Sequence, residues 1–429
     1  MGFAQALDLA EGRTLGHSTR VCYIALHLTQ ALELPDEQQR AAFYAALLHD
    51  AGAAPASAEL CRMLSIGEEA LFCAGPEKPA HQLALEISPN DAPAIVEALR
   101  AHPPHGARIA RDLGFETAVQ EAILSHHERW DGHGYPSGLK EDDTPLLGRI
   151  IATADLIESL ISSEFNALTA RRNLLATLVE YAETALDPEL VGTARRLARS
   201  DAFWLGLHSE ELNRELAAAC PEQRSGEERS PLDLEVFATV FADLADGKGE
   251  HTTTHSDRTA KVADQFAESL GFSPVRRQAL RVAGLLHDVG LLGVPARVIA
   301  KPDILSLAEM EVMRKHPAYS QMILEDIPGL EDVAIWIGAH HERPDGKGYP
   351  ELLEDDTIPL EARILAVADT YVALTSARPY RKSLSHEDAI DVLMGGASTQ
   401  LDASLVRRLR QLELDATSSR SAPRSRRKR

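Results

Sequence analysis

One ordered set of short motifs occurs twice in this chain, once in each half. LLHDAG at 47–52 corresponds to LLHDVG at 285–290, and HHERWDGHGYP at 126–136 corresponds to HHERPDGKGYP at 340–350. Agreement over motifs of this length, in the same order, indicates a duplicated domain.

The spacing between repeat partners changes once along the chain. His17 and His49 precede their partners by 238 residues, whereas His102 and the later landmarks precede theirs by 214. The first half therefore carries an insertion of 24 residues, which we place within 53–90. The predicted organisation is a first domain over 1–219, a linker over 220–232, a second domain over 233–415 and a basic, disordered tail over 416–429.

The apolar residues follow a helical period throughout. They recur three and four positions apart in RVCYIALHLTQALEL at 20–34 and in RILAVADTYVAL at 363–374, while alternating, strand-like runs are nearly absent. The sequence therefore predicts an all-α fold of two tandem helical bundles.

The amino-acid composition limits the cellular compartments and the classes of binding partner that we expect for this protein. A net charge of −21 argues against a broad nucleic-acid surface, with the basic residues of 420–429 as the exception. No apolar stretch is long enough to span a membrane, and four scattered cysteines fit a reducing compartment. We expect a cytoplasmic protein, and its oligomeric state stays open.

Histidine and aspartate dominate the repeated positions. Ten of the seventeen histidines recur in both halves, and imidazole and carboxylate groups are ligands for divalent transition metals. The candidate metal ligands are His17, His49, Asp50, His102, His126, His127 and Asp155 in the first half, and His255, His287, Asp288, His316, His340, His341 and Asp369 in the second.

These motifs resemble the HD-GYP family, a subgroup of the HD metal-dependent phosphohydrolases. The resemblance covers both halves and implies compact helical domains that each hold at least two divalent ions, usually iron or manganese. It also implies hydrolysis of cyclic di-GMP to the linear dinucleotide, and onward to GMP, by metal-activated water. By this resemblance, His287 and Asp288 are catalytic, with Asp288 bridging the ions, and the substrate contacts are Arg378, Arg381, Gly348, Tyr349 and Pro350.

Several positions depart from the family pattern. The lysine expected after the His-Asp motif is Leu291 in the second half and Ala53 in the first. Lys301 and Lys347 are candidates to replace it. The position of a third-metal glutamate is taken by His251 and by Arg13, and the second acid of the A-D-x-x-D stretch is Val372 in one half and Glu158 in the other. We therefore expect two ions per centre.

The predicted function is metal-dependent cyclic di-GMP hydrolysis, chiefly in the second half. The first half lacks the ARPYR sequence of the second, so it is either a second active site or a metal-bound domain without hydrolysis. Two alternatives remain for the whole chain. It is a degenerate metal-binding or nucleotide-binding module that signals to a protein partner, or an HD phosphohydrolase for another phosphoester.

Overall fold

The computed structural model describes residues 2–53, 60–61, 64, 78–162, 167–220, 234–248, 254–301, 303–376 and 382–420. Within these ranges the chain forms helices and no strand, which confirms the predicted all-α class. None of the described helices is long and apolar enough to cross a membrane.

The first half contributes eleven described α-helices, α1 to α11, and a short 3₁₀ helix over Glu141–Asp143. The helices are Gly2–Ala10, His17–Ala31, Asp36–Leu48, Ala80–Ile87, Ala92–Asp112, Thr117–Ser125, Leu146–Ser162, Ala167–Tyr181, Pro188–Leu197, Asp201–Leu207 and Leu212–Ala219.

The second half contributes ten described α-helices, α12 to α21, with 3₁₀ helices over Val289–Gly293 and Asp355–Thr357. The α-helices are Leu234–Gly247, His255–Ser269, Pro274–Leu286, Ala296–Ile299, Leu307–Met313, His316–Leu324, Glu331–Gly338, Leu360–Thr375, His386–Gly395 and Ala403–Arg420. The last helix thus continues into the predicted tail, and 421–429 lie outside the described residues.

The chain divides into two compact units. One comprises Met1–Val240 with Leu292–Ala300, and the other comprises Phe241–Leu291 with Lys301–Arg429. The predicted linker lies almost wholly outside the described residues, and the domain boundaries taken from the sequence stay a prediction.

The helices that carry the repeated motifs pack in the same way in both halves. In the first, α2 packs against α3 and α7, and α6 packs against α3, α5 and α7. In the second, α13 packs against α14 and α19, and α18 packs against α14, α17 and α19. Apolar residues such as Ile150 in α7 and Leu365 in α19 are fully buried at these contacts. The duplication inferred from the motifs is therefore a duplication of helix packing.

The described part of the insertion packs within the first half. Leu60, Cys61 and Leu83 are buried in one apolar cluster with Ile95 and with Tyr135 of the Gly-Tyr-Pro motif. The insertion therefore helps to bury Tyr135, whereas Tyr349, its repeat partner in the second half, is only partly buried.

The glycine of each His-Asp-x-Gly motif allows two chain segments to approach closely. A Cβ atom built on Gly290 would lie 2.0 Å from the carbonyl oxygen of His316, and one on Gly52 would lie 2.1 Å from that of His102. The Gly290 N–H also donates to Ser320 Oγ at 2.9 Å, whose hydroxyl donates to the His287 carbonyl at 2.8 Å. Glycine is thus needed to bring two candidate ligand segments together.

Replacing Gly290 with alanine should therefore destabilise the second half. Because the new methyl group would overlap backbone, we expect Gly290→Ala to lower the free energy of unfolding by about 1–3 kcal/mol. Thermal and urea unfolding measure the change. Gly395→Ala is the matched control, since nothing lies within 4 Å of a Cβ atom there. Equal stability of the two variants would contradict this account of the motif glycine.

Candidate metal centres

In the second half, four α-helix ends and one helix interior bring the candidate ligands together around Asp288. Its Oδ1 lies 3.2 Å from His316 Nε2 and 3.8 Å from His340 Nε2. Its Oδ2 lies 3.3 Å from His287 Nε2 and 3.8 Å from His255 Nε2. Asp288 therefore stands between two groups of donors, which are Asp288, His316, His340 and His341 on one side and His255, His287 and Asp369 on the other.

The first half repeats this arrangement around Asp50. Its Oδ1 lies 3.1 Å from His102 Nε2 and 3.6 Å from His126 Nε2. Its Oδ2 lies 3.0 Å from His49 Nε2 and 3.8 Å from His17 Nε2. The two donor groups are Asp50, His102, His126 and His127, and His17, His49 and Asp50, with Asp155 Oδ1 3.5 Å from His17 Nε2.

Backbone carbonyls hold most of these imidazoles in one orientation. His287 Nδ1 lies 2.9 Å from the carbonyl of Gly284, and His316 Nδ1 lies 2.9 Å from that of Met313. Each acceptor is three residues earlier, in the last turn of a helix, where the helix leaves carbonyls without their regular partners. Because a carbonyl only accepts, Nδ1 carries a hydrogen, and in the neutral imidazole Nε2 is then left as an electron-pair donor. His49, His126 and His340 are held in the same way.

Buried polar atoms without hydrogen bonds lie together at the first centre, and one such atom lies at the second. Among the described residues, none forms a hydrogen bond with the following buried atoms: Nε2 of His17, His49, His126 and His287, Oδ2 of Asp50 and Oδ1 of Asp155. Polar groups that are removed from water without a hydrogen bond are unfavourable unless another partner satisfies them. Their position and chemistry fit divalent metal ions, which accept electron pairs from imidazole nitrogen and carboxylate oxygen together.

Most of the donors are in the protonation state that binds a metal. Burial lowers the pKa of His340 well below its ordinary value, and burial with the neighbouring His316 lowers the pKa of His341 to about 4. Burial would raise the pKa of Asp288, but His287 and His316 outweigh it and hold that pKa well below its ordinary value. His287 is the exception, because Asp288 overcomes the effect of burial and raises its pKa to about 9.

The Gly-Tyr-Pro loops are fixed by the glutamate of the His-His-Glu-Arg motif. The Glu342 carboxylate accepts hydrogen bonds from the backbone N–H of Glu351 at 2.6 Å and of Leu353 at 3.0 Å. Glu128 accepts from Ser137 and Leu139 in the same way. The loops then place Tyr349 against His341, with ring centroids 4.9 Å apart, and Tyr135 against His127 at 4.7 Å. The motif thus supplies both donors and their support.

The two centres differ in access. The side chains of Asp288 and Asp369 are 14% and 17% exposed, whereas those of Asp50 and Asp155 are 5% and 1% exposed. The second centre is therefore the more open of the two.

Two further buried side chains, those of Arg13 and Glu11, lie at the first centre. The buried guanidinium of Arg13 lies 3.9 Å from Asp155 Oδ1 and 3.5 Å from Glu11 Oε2. Glu11 is also buried, and burial together with the Asp50 carboxylate raises its pKa well above the ordinary value. Sequence reasoning missed Glu11 because its position at the 238-residue spacing is a glycine, Gly249, so the repeat gave no signal.

Among the described residues, neither candidate replacement for the missing lysine forms an ion pair with a candidate ligand of the second centre. Lys301 Nζ is paired with Glu309 at 2.6 Å, and Lys347 is exposed in the turn whose backbone N–H donates to Asp345. Arg378, Arg381 and His251 lie outside the described residues, so the substrate contacts predicted for the two arginines stay predictions.

A protein family described as "HD domain" matches residues 79–190 and 239–405, which together exceed half of the chain. The chain belongs to the HD-domain family. Two copies of the HD domain account for the repeated motifs and for the repeated helix packing.

Relatives extend this assignment over nearly the whole chain. The chain is 31% identical to the 3'3'-cGAMP-specific phosphodiesterase 3 of Vibrio cholerae, over 92% of this chain and 90% of the relative. It is 41% identical to the cyclic di-GMP phosphodiesterase response regulator RpfG of Xanthomonas campestris, over 33% of this chain and 38% of the relative. A crystal structure of a cyclic GMP-AMP-specific phosphodiesterase from V. cholerae, V-cGAP3, superposes with a TM-score of 0.67 at 27% identity, covering 98% and 97% of the two chains. The predicted HD-GYP resemblance is confirmed.

The structure gathers in each HD domain the seven residues that the sequence singled out. Their role as metal ligands stays a prediction, as do the catalytic roles of His287 and Asp288 and the contact roles of Gly348, Tyr349 and Pro350. The structure adds Glu342, Glu128 and Glu11, which the sequence analysis did not select.

Metal binding by both HD domains should weaken as the pH falls. Asp288 raises the pKa of His287 to about 9, and Asp50 has the same effect on His49. Each imidazole thus carries a proton at neutral pH that an incoming ion must displace. From about pH 8 to about pH 6.5 we expect the dissociation constant for Mn²⁺ to rise about tenfold per unit. The EPR signal of free Mn²⁺ measures it, and a constant that does not change with pH would contradict the prediction.

Proposed function

We propose that this HD-domain protein hydrolyses a phosphodiester bond of a cyclic dinucleotide at the centre of its second half, with 3'3'-cGAMP as the preferred substrate. The arrangement around Asp288 carries the proposal, because two donor groups share one carboxylate at a centre that solvent reaches. Because the chain has a net charge of −21, a negatively charged phosphodiester needs a local concentration of positive charge, which bound metal ions would supply.

The choice of substrate follows the extent of the similarity. The relative named as 3'3'-cGAMP-specific aligns with 92% of this chain, including both HD domains. The relative named as a cyclic di-GMP phosphodiesterase aligns with 33% of it. We therefore place 3'3'-cGAMP ahead of cyclic di-GMP, which the sequence motifs alone had suggested.

The donor set suits two divalent ions in each centre, which we propose to be iron or manganese. Imidazole suits iron and carboxylate suits manganese, and each centre offers both. When bound, such ions lower the pKa of water toward about 7 and neutralise charge on the phosphate. The protein's own part is to hold Asp288 between the two donor groups and to fix imidazoles such as those of His287 and His316 with Nε2 facing inward.

The second centre is the better candidate for hydrolysis. Its carboxylates, Asp288 and Asp369, are partly exposed, whereas Arg13 already places a fixed positive charge beside Asp155 in the first. We therefore propose that the first half holds metal without hydrolysing the substrate. The cytoplasmic location and the signalling partner predicted from the sequence stay predictions.

Arg314 is a candidate phosphate contact that the motifs did not indicate. Its half-exposed guanidinium lies 5.5 Å from the centre of the Tyr349 ring, and Tyr349 in turn contacts His341. A positive charge is therefore placed one aromatic ring away from a candidate metal ligand. The planar fork of arginine matches phosphate oxygens, so we propose that Arg314 binds a phosphate of the substrate.

A binding module without turnover is the second candidate. Leu291 replaces the lysine of the family motif, and Lys301 is paired with Glu309. Tight binding of a cyclic dinucleotide with no hydrolysis would select this alternative.

Substrate and location are tested together. The purified protein loaded with Mn²⁺ should hydrolyse 3'3'-cGAMP faster than cyclic di-GMP, as followed by chromatography of the products. Asp288→Asn removes the shared charge at nearly constant size and should lower the rate at least about a hundredfold. The matched variant Asp50→Asn should cost less. Faster cleavage of cyclic di-GMP would contradict the substrate, and equal losses in both variants would contradict the location.

Removing the guanidinium of Arg314 should weaken substrate binding. We expect Arg314→Ala to raise KM about tenfold with a smaller effect on kcat, since one charge-assisted contact is lost. Lys315→Ala is the control, because it removes the neighbouring exposed cation. Steady-state kinetics on both variants measure the effect, and an equal rise in KM for Lys315→Ala would show that net charge alone matters.

A further inference from the structure

A buried carboxylate stands behind one candidate ligand of the first centre. Glu158 Oε2 lies 2.5 Å from His17 Nδ1, while His17 Nε2 faces Asp155 Oδ1 at 3.5 Å. Glu158 follows Asp155 by three residues on α7, so both carboxylates lie on one face of that helix. His17 is thus held between a carboxylate at Nδ1 and the centre at Nε2.

Glu158 is itself fixed by other side chains. Arg20 donates to its Oε1 through Nε at 2.7 Å and through Nη2 at 2.6 Å. Ser162 Oγ donates to the same oxygen at 2.5 Å. Glu158 is 2% exposed, and these bonds satisfy the oxygen that does not face His17. A buried carboxylate held in this way keeps its charge and its position.

The second half has kept this network except for the carboxylate. At the matched positions stand Arg258 for Arg20 and Ser376 for Ser162, and Arg258 Nη1 donates to Ser376 Oγ at 2.5 Å. Val372, fully buried, stands where Glu158 would be. The carboxylate that His17 Nδ1 contacts therefore has no counterpart at the matched position of the second half, where His255 is the partner of His17.

We propose that Glu158 is a positioning residue that makes the first centre bind its metal more tightly than the second. A carboxylate that accepts the Nδ1 hydrogen fixes the tautomer and orientation of a ligating imidazole and makes its Nε2 a stronger donor. The first half would then hold a slowly exchanging ion, while the second, with Val372, exchanges its ion more readily. The two centres thus differ in metal affinity because one helix position holds Glu158 in the first half and Val372 in the second.

This inference rests on the proposed metal centres but not on hydrolysis, because metal binding is measured without any nucleotide. Two full-length double variants, here called parents, each keep one centre intact. The first-centre parent carries His287→Ala and Asp288→Ala, and the second-centre parent carries His49→Ala and Asp50→Ala. Mn²⁺ titration, followed by the EPR signal of free Mn²⁺, gives the dissociation constant of each, and the first-centre parent should bind more tightly.

Reciprocal exchange of the two side chains tests the role of Glu158. In the first-centre parent, Glu158→Val should raise the Mn²⁺ dissociation constant about 10- to 100-fold. In the second-centre parent, Val372→Glu should lower it by about tenfold or more, since Arg258 and Ser376 are already placed to receive the carboxylate. A gain of affinity cannot arise from damage to the fold, so this second variant separates positioning from stability.

Two results would overturn the proposal. One is that the Mn²⁺ dissociation constant of both exchanged variants stays within about twofold of the constant of the respective parent, since a carboxylate partner normally changes it by about 10- to 100-fold. The other is a loss in Glu158→Val with no gain in Val372→Glu, which would mean that Glu158 acts only through the stability of its own half. Melting temperatures of the metal-stripped variants identify that case directly.

Discussion

Each half of this protein is organised around a carboxylate that is surrounded by imidazoles. A charged carboxylate removed from water is stable only where hydrogen-bond donors or cations surround it. Asp288 meets that requirement with His255, His287, His316 and His340, which come from separate helices. The helix packing, the motif glycine and the Gly-Tyr-Pro loop all serve to bring these groups to one point.

The sequence was sufficient to predict the fold class and the fourteen residues that the structure brings together in two groups of seven, whose role as ligands stays a prediction. Helical periodicity is a local property, and the repeat showed which histidines belong together. Residues that occur in only one of the two halves could not be found from the repeat. Glu11 has a glycine at its repeat position, and Arg314 is an ordinary exposed arginine until the fold places it over Tyr349. Glu342 lay within a motif, but its backbone partners, Glu351 and Leu353, are fixed only by the path of the loop.

Duplication has preserved the scaffold while the charges around the two centres have diverged. The helix contacts and the Nδ1 carbonyl bonds recur in both halves. Arg13 and the insertion that covers Tyr135 belong to the first half alone. The first centre is buried and has its own counter-charge, whereas the second is more open. This difference supports the proposal that the two domains have different tasks.

The carbonyl bonds that orient the imidazoles also join the centre to the ends of the helices. Gly284 and Met313 accept these bonds in the last turns of two helices, and the donors of the second half span the chain from His255 to Asp369. An ion bound there would act as a clip across segments far apart in sequence, and clips that close long loops restrict the unfolded chain most. Loss of the ion would free the helix ends together with the donors, so that local unfolding and inactivation would be one cooperative event.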